Sequence, residues 1–321
     1  MHTLISKHNT LYHNAALSST PTLVTTFMNT PQSSHPELAK QLNIPSLFLK
    51  REDLSPYQSH KGRAIPEMIH REYTQNDTKK FAISSTGNAA IAAILAIKEH
   101  NTKHPNNLLS LGVYIGKRIP QQKKVTLTHL ATDRNITITQ VDQPKQNAFM
   151  AGKEVGVAYL RQSTNELAPQ TYHSLAKEIT QNNDVGAIFI ATSSGTTAQG
   201  VGEYIIKNSL PTQVHVVQTT SCCPIAKHFD HDFSPTKESI ATCIGDRIAH
   251  RKNKVIKIVD TTKGSGWIVN DEEISVAQKI LEDELQEPVT PNGALSVAGL
   301  IKAKKSGWNI TTPTTCIISG K

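Results

Sequence analysis

The chain is 321 residues long, enough for two core-bearing domains or one large α/β unit. Apolar residues make up 37% of it and charged residues 19%, and the longest unbroken apolar run, residues 89–97, is too short to span a bilayer. The net charge of +8 comes from scattered Lys and Arg whose densest groups, Lys302-Ala303-Lys304-Lys305 and His250-Arg251-Lys252-Asn253-Lys254, are short, lack interleaved aromatics and read as solvated faces, so no nucleic-acid partner is expected.

In chain order, strands are predicted over residues 46–50, 80–84, 109–115, 136–141, 187–191, 214–219, 255–259 and 314–319. Helices are predicted over 37–41, 63–73, 89–100, 121–132, 146–160, 173–181, 197–208, 272–285 and 294–305. Such alternation argues for an α/β protein with parallel strands and helices on both faces. No internal repeat, low-complexity block or long linker interrupts it.

Residues 1–8 contain no apolar stretch of secretory length, so a cytoplasmic location without a membrane partner is expected. The chain ends two residues after Ser319, and no regulatory extension is expected. Its four cysteines, Cys222, Cys223, Cys243 and Cys316, lack metal-ligand spacing and are expected to be free thiols. The sequence His228-Phe229-Asp230-His231-Asp232 is the one metal-like cluster; it reads better as a solvated loop, and no metal is expected.

Three segments carry chemistry. In the first, the strand-like run ending at Lys50 leads through Ser55-Pro56-Tyr57-Gln58-Ser59-His60 to Lys61, with a helix-compatible stretch beyond. An ammonium at a helix start faces the positive end of the dipole, which favours the neutral amine that a Schiff base requires. In the second, Ser84-Ser85-Thr86-Gly87-Asn88 lies between a strand and an alanine-rich helix. In the third, Thr192-Ser193-Ser194-Gly195-Thr196-Thr197 lies between the strand at 187–191 and another helix. Turns of this kind present backbone N–H groups and hydroxyls to an anion, with a helix dipole behind them. The bland readings stand beside these. Lysine at a helix start is commonly a surface charge, the second turn contains what an N-cap needs, and hydroxyls in the third can satisfy local backbone groups. The functional reading gains because all three turns follow predicted strands, on the side where open α/β sheets bind ligands.

The order of these motifs resembles the pyridoxal-phosphate enzymes of fold type II, the tryptophan synthase β-subunit superfamily. Ser59-His60-Lys61-Gly62-Arg63 matches its Schiff-base motif S-x-K-x-R, and Thr86-Gly87-Asn88 matches its S-G-N loop. Ser193-Ser194-Gly195-Thr196-Thr197 with Gly200-Val201-Gly202 matches its phosphate loop, though with fewer glycines, and Cys316-Ile317-Ile318-Ser319-Gly320 matches its C-terminal strand. Softer echoes are Pro21-Thr22-Leu23-Val24, Val269-Asn270-Asp271-Glu272-Glu273-Ile274 and Pro291-Asn292-Gly293-Ala294-Leu295-Ser296, so the likeness runs from about Thr22 to the end.

The resemblance implies two open twisted, mostly parallel sheets with pyridoxal 5'-phosphate in the cleft between them. It implies a larger domain of residues 1–48 and 156–321, a smaller one of 49–155, and a homodimer. Lys61 would carry the cofactor. His60, Asn88, Ser193, Ser194, Gly195, Thr196, Thr197 and Ser319 would contact it, His60 as a donor to its phosphate. Ser85, Thr86, Gly87 and Asn88 would hold the carboxylate of a small amino-acid substrate. A hydroxyl at Ser319 beside the pyridine nitrogen would leave the ring a weak electron sink. That suits β-elimination or β-replacement through an aminoacrylate. Threonine synthase-like chemistry, which Leu160-Arg161-Gln162-Ser163-Thr164 and the C-terminal segments resemble, and a catalytically inactive cofactor-binding homologue are the alternatives. A Rossmann protein ranks below them, since neither G-x-G-x-x-G nor a P-loop is present.

Overall fold

The computed structural model describes residues 28–181 and 184–320. The Pro21-Thr22-Leu23-Val24 segment lies outside the described residues. The first third contains β1 (Gln32–Ser34), α1 (Pro36–Gln41), β2 (Leu47–Arg51), α2 (Ile65–Asn76), β3 (Lys80–Ser84) and α3 (Asn88–Lys103). Then come β4 (Ser110–Gly116), α4 (Gln121–Leu130), β5 (Ile136–Val141), α5 (Pro144–Ala151), β6 (Val157–Tyr159), α6 (His173–Thr180), β7 (Ala187–Ala191) and α7 (Thr196–Lys207). The last part contains β8 (Gln213–Thr219), α8 (Lys252–Thr261), β9 (Gly266–Val269), α9 (Asp271–Leu285), α10 (Pro291–Lys305) and β10 (Thr314–Ile318).

The strands form two sheets, one ordered β1-β2-β10-β7-β8-β9 and the other β5-β4-β3-β6. Every pairing is parallel except that of the edge strand β1 with β2. All five residues of β7, and all five of β10, are buried, as expected of central strands covered on both faces. Strand β4 alternates buried and half-buried residues along its length. Helix α3 turns Ala90, Ala93, Ile94, Ile97 and Asn101 inward at helical spacing. The Asn101 side chain then closes the helix onto the next strand, donating to the Leu109 carbonyl at 3.0 Å and accepting its N–H at 2.7 Å. Helix α10 is buried along most of its length and anchors to β10 through Ser296 Oγ, which donates to the Ile317 carbonyl at 2.9 Å.

Three expectations fail. Residues 255–259 are not a strand but part of α8, with Val255, Ile258 and Val259 buried and Lys257 exposed. That i, i+3, i+4 pattern is helical, and the β-branched run concealed it. The neighbouring strand is the short β9 instead. The helix expected over 146–160 ends at Ala151; a turn bounded by Gly152 and Gly156 (φ 78°) leads into β6. Helix α2 also starts later than expected, at Ile65, after a separate 3-10 turn over His60–Arg63.

Two basic groups expected to be solvated each contain a buried cation. Lys302 pairs with Asp230 at 2.8 Å and donates to the Asp232 carbonyl at 3.0 Å. Asp230 also accepts the N–H groups of Ile268 and Asp232, so its carboxylate is a structural tether. Arg251 belongs to the site described next. All four cysteines are free, and no helix of the described residues is long and apolar enough to cross a membrane.

Candidate active site

Parallel strands place their carboxyl ends on one side of a sheet. The turns after β3 and β7 and the end of β10 meet there, around a cavity of about 630 Å³. Every residue assigned from the sequence to the cofactor or the substrate carboxylate lines it: His60, Lys61, the turn from Ser85 to Asn88, the turn from Ser193 to Thr197, and Ser319.

Lys61 sits in the 3-10 turn, held from behind by Arg63. The buried Arg63 guanidinium binds Glu52 through two bonds of 2.7 and 2.8 Å, and Glu178 through two of 2.8 Å. Lys50, itself buried, completes the network with a 2.7 Å bond to Glu178. Lys61 has no ion pair among the described residues. Desolvation pulls its pKa from 10.5 to about 8, and the nearby Cys243 opposes the shift. Burial therefore makes the neutral amine accessible, rather than the start of an α-helix as the sequence suggested.

His60 closes the turn onto the last strand. Its backbone N–H and its Nδ1–H both donate to the Ser319 carbonyl, at 2.9 and 2.7 Å. Burial, and then the charge of Lys61, lower its pKa from 6.5 to about 3. The ring is neutral, so Nε2 is an acceptor. This differs from the expectation that His60 donates to a phosphate: its N–H is spent on Ser319. On the same strand end, Gly320 packs against Asn88 and Ser59, and a side chain there would collide with both. Ser319 is buried, and among the described residues its hydroxyl reaches only the Asn292 carbonyl, at 3.4 Å.

Helices α3 and α7 both begin at this cavity, and neither has a side-chain N-cap. Their first N–H groups lack intrahelical partners, so each presents donors and a positive dipole end to the cavity. At α3 the Ser85 hydroxyl accepts the Gly87 N–H at 3.2 Å. At α7, Gly195 adopts a left-handed conformation (φ 91°), and a Cβ there would lie 2.9 Å from Val255. Thr196 Oγ1 lies 3.1 Å from Ser194 Oγ and accepts from Arg251 Nε at 3.2 Å. The Ser193 hydroxyl oxygen accepts the N–H groups of Gly245 and Asp246, both at 3.1 Å, which ties the loop over residues 242–248 to this turn.

Sequence reasoning missed two contributors. Arg251 is 4% exposed and braces the turn, donating to Gln199 Oε1 and to the carbonyls of Gln162 and Asn165. Its place in a run of four basic residues masked it. The loop carrying Cys243 and Asp246 has no motif to reveal it. Arg161, Gln162 and Ser163, from the segment that resembles threonine synthases, line the cavity just after β6.

A family model described as "Pyridoxal-phosphate dependent enzyme" matches residues 24–320. The chain belongs to that family. Its cofactor is accordingly pyridoxal 5'-phosphate. The residues present fit this group independently of the match. The glycine cradle at Gly195 and the uncapped α7 N-terminus suit a phosphate, and an amine of lowered pKa in the same cavity suits an aldehyde.

Among relatives, the mitochondrial threonine dehydratase of Saccharomyces cerevisiae is 23% identical, over 85% of this chain and 47% of that one. A biosynthetic L-threonine dehydratase of Haemophilus influenzae is 22% identical, over 91% of this chain and 56% of that one. The chain thus spans about half the length of these two proteins. The threonine synthase of Methanocaldococcus jannaschii is 28% identical, over 84% of this chain and 68% of that one. Among solved structures, maize serine racemase superposes with a TM-score of 0.74 at 17% identity, covering 91% of this chain and 88% of that one. A fungal L-serine ammonia-lyase from Rhizomucor miehei gives 0.74 at 14% identity, covering 91% and 93%. These likenesses show the fold, two mostly parallel sheets flanked by helices, that the resemblance implied.

Proposed function

We propose that the protein catalyses elimination or replacement at the β-carbon of a small amino acid. The observation that carries this reading is the position of Lys61, with its lowered pKa, in one cavity with two uncapped helix N-termini. When bound, pyridoxal 5'-phosphate supplies a conjugated ring that withdraws electrons from the substrate's α-carbon. Ser194, Gly195, Thr196 and Thr197 would hold its phosphate, with Ser193 fixing the adjoining loop. Lys61 would hold its aldehyde carbon, Asn88 its phenolic oxygen, and Ser319 would face its ring nitrogen. Ser85, Thr86, Gly87 and Asn88 would hold the substrate carboxylate at the start of α3.

Lys61 Nζ, neutral above about pH 8, can then take the α-proton and return it. A hydroxyl at Ser319 brings no negative charge to the ring nitrogen. With Ser319 so placed, the bound cofactor would be a moderate electron sink, which would favour substrates whose β-substituent departs readily.

The test is incubation of the holoenzyme with serine, threonine and O-acetylserine plus a thiol, followed by assays for 2-oxo acid, ammonia and thioether. No product from any of them would sink the proposal. The similarity to the M. jannaschii threonine synthase supports a second reading, threonine formation from a γ-activated amino acid. Retained cofactor without turnover of any substrate would fit the inactive homologue.

We also propose the two-part organisation, with β3 to β6 in the smaller domain. Strand membership supports it, with β1, β2 and β7 to β10 in one sheet and β3 to β6 in the other. Family resemblance supports a homodimer, and we propose a cytoplasmic location. Light scattering on the purified protein checks the first, and fractionation of cells the second.

A further inference from the structure

The described residues contain five buried lysine and arginine side chains, Lys50, Arg51, Arg63, Arg251 and Lys302. Four of them pair with a carboxylate: Lys50 with Glu178 at 2.7 Å, Arg51 with Asp53 at 2.7 Å, Arg63 with Glu52 at 2.7 Å and Lys302 with Asp230 at 2.8 Å. Arg251 has no such partner among the described residues. Its bonds go to neutral acceptors: Thr196 Oγ1 at 3.2 Å, Gln199 Oε1 at 3.0 Å, and the carbonyls of Gln162 and Asn165 at 3.2 and 2.6 Å. Burial pulls its pKa down from 12.5, and the charges of Glu166 and Glu203 oppose this only in part. Glu166 is exposed and faces Lys254 at 3.6 Å, while Glu203 accepts from Gln199 Nε2 at 2.6 Å. A guanidinium nevertheless keeps its charge, and a buried charge without a counterion is costly.

The surroundings raise that cost. Arg251 immediately precedes α8, so the positive end of that helix dipole lies beside it. The start of α7 is there as well, since a Cβ on Gly195 would lie 3.3 Å from the Arg251 Cβ and 2.9 Å from Val255. Two helix N-termini and a guanidinium thus meet at one turn, a concentration of positive charge that an anion relieves. The Thr196 hydroxyl connects Arg251 to the cavity, which Thr196 lines. Because Oγ1 accepts from Arg251 Nε–H, its own proton goes to another acceptor, either Ser194 Oγ at 3.1 Å or a ligand in the cavity. Accepting from a charged donor also makes that hydroxyl a stronger donor in turn.

We propose that Arg251 is the countercharge of the cofactor phosphate, a positioning residue that acts through the Thr196 hydroxyl and selects pyridoxal 5'-phosphate over pyridoxal. This rests on the reading of Ser193 to Thr197 as the phosphate turn. The test is titration of the apoprotein with pyridoxal 5'-phosphate and with pyridoxal, followed through each ligand's absorption band. The ratio of the two affinities isolates the phosphate, because both ligands carry the same aldehyde. In Arg251→Met the ratio should fall about tenfold or more, whereas in Arg251→Lys it should stay within about threefold of the natural value. Neither variant keeps the guanidinium fork. A purely structural brace would therefore lower the ratio equally in both, or weaken both ligands alike and leave the ratio unchanged; either result overturns the proposal. A second measurement needs no variant. In the natural protein, the N–H resonance of Arg251 Nε should shift when pyridoxal 5'-phosphate binds and stay in place with pyridoxal. A resonance unmoved by both, or moved equally by both, overturns the proposal. A ratio that falls in Gly195→Ala but not in Arg251→Met overturns this inference alone. Equal affinity for the two ligands in the natural protein overturns the phosphate turn with it.

Discussion

The turns that open α3 and α7 share one pattern, strand, small hydroxyl residues with glycine, then helix, yet they are held in opposite ways. At α7, Thr196 and Thr197 are buried, Gly195 is left-handed, and the buried Arg251 braces Thr196 from outside the turn. At α3, every residue from Ser84 to Ala89 is half-buried, and the Ser85–Gly87 bond is internal to the turn. A ligand that stays bound is best served by donors fixed in advance, because ordering them then costs nothing at binding. A ligand exchanged at every cycle needs an open approach. The difference accords with a resident cofactor phosphate at α7 and a substrate carboxylate at α3.

The largest expected effect lies between the two turns. Lys61→Ala should abolish cofactor fixation by borohydride completely, as read by peptide mapping; label on another lysine would break the scheme. In the natural apoprotein, the rate of cofactor attachment should rise about tenfold per pH unit up to about pH 8 and then level off. The sign follows from the amine. Its protonated form dominates below the lowered pKa and cannot attack, and an unshifted lysine would keep rising toward 10.5.

Next comes the support beneath Lys61. Arg63→Ala strands the fully buried Glu52 without its bidentate partner, and should cost about 3–5 kcal/mol in urea unfolding. Glu178 keeps Lys50, so the loss should not be larger.

The two glycines test the comparison directly. Gly195→Ala forces a side chain into a left-handed conformation and against Val255, which should cost about 1–3 kcal/mol and release cofactor on dialysis. Gly87→Ala meets only Cys243 Sγ, at an ordinary 3.6 Å, and should change unfolding by less than about 0.5 kcal/mol. Equal costs at the two sites would erase the distinction drawn above. Between them, Ser193→Ala removes the acceptor for two backbone N–H groups. It should cost about 1 kcal/mol and speed hydrogen exchange at Gly245 and Asp246.

Local order was legible wherever the sequence constrains nearest neighbours. The all-apolar β7, the alanine-rich α3 and the hydroxyl-glycine turns read correctly because strand burial, helix propensity and turn chemistry act within a few residues. Where two local signals competed, the reading failed. In α8 the β-branched residues spoke for a strand and the spacing of Val255, Ile258 and Val259 for a helix, and packing of that stripe decided it. The candidate site divides the same way. Lys61, Asn88, Gly195 and Ser319 were visible because each sits in a turn or strand end with its own composition.

By itself, then, the sequence determined the alternation of strands and helices, the family, and the residues that reach the cavity on their own turns. The tertiary structure decided what depends on distant partners. It buried Arg251 out of a basic run and turned the N–H of His60 to the Ser319 carbonyl. It lowered the pKa of Lys61 by desolvation, and it brought the loop over 242–248 to the cavity through the Ser193 hydroxyl. Burial, desolvation and such tethers arise from segments far apart in the chain, and no window of neighbouring residues contains them.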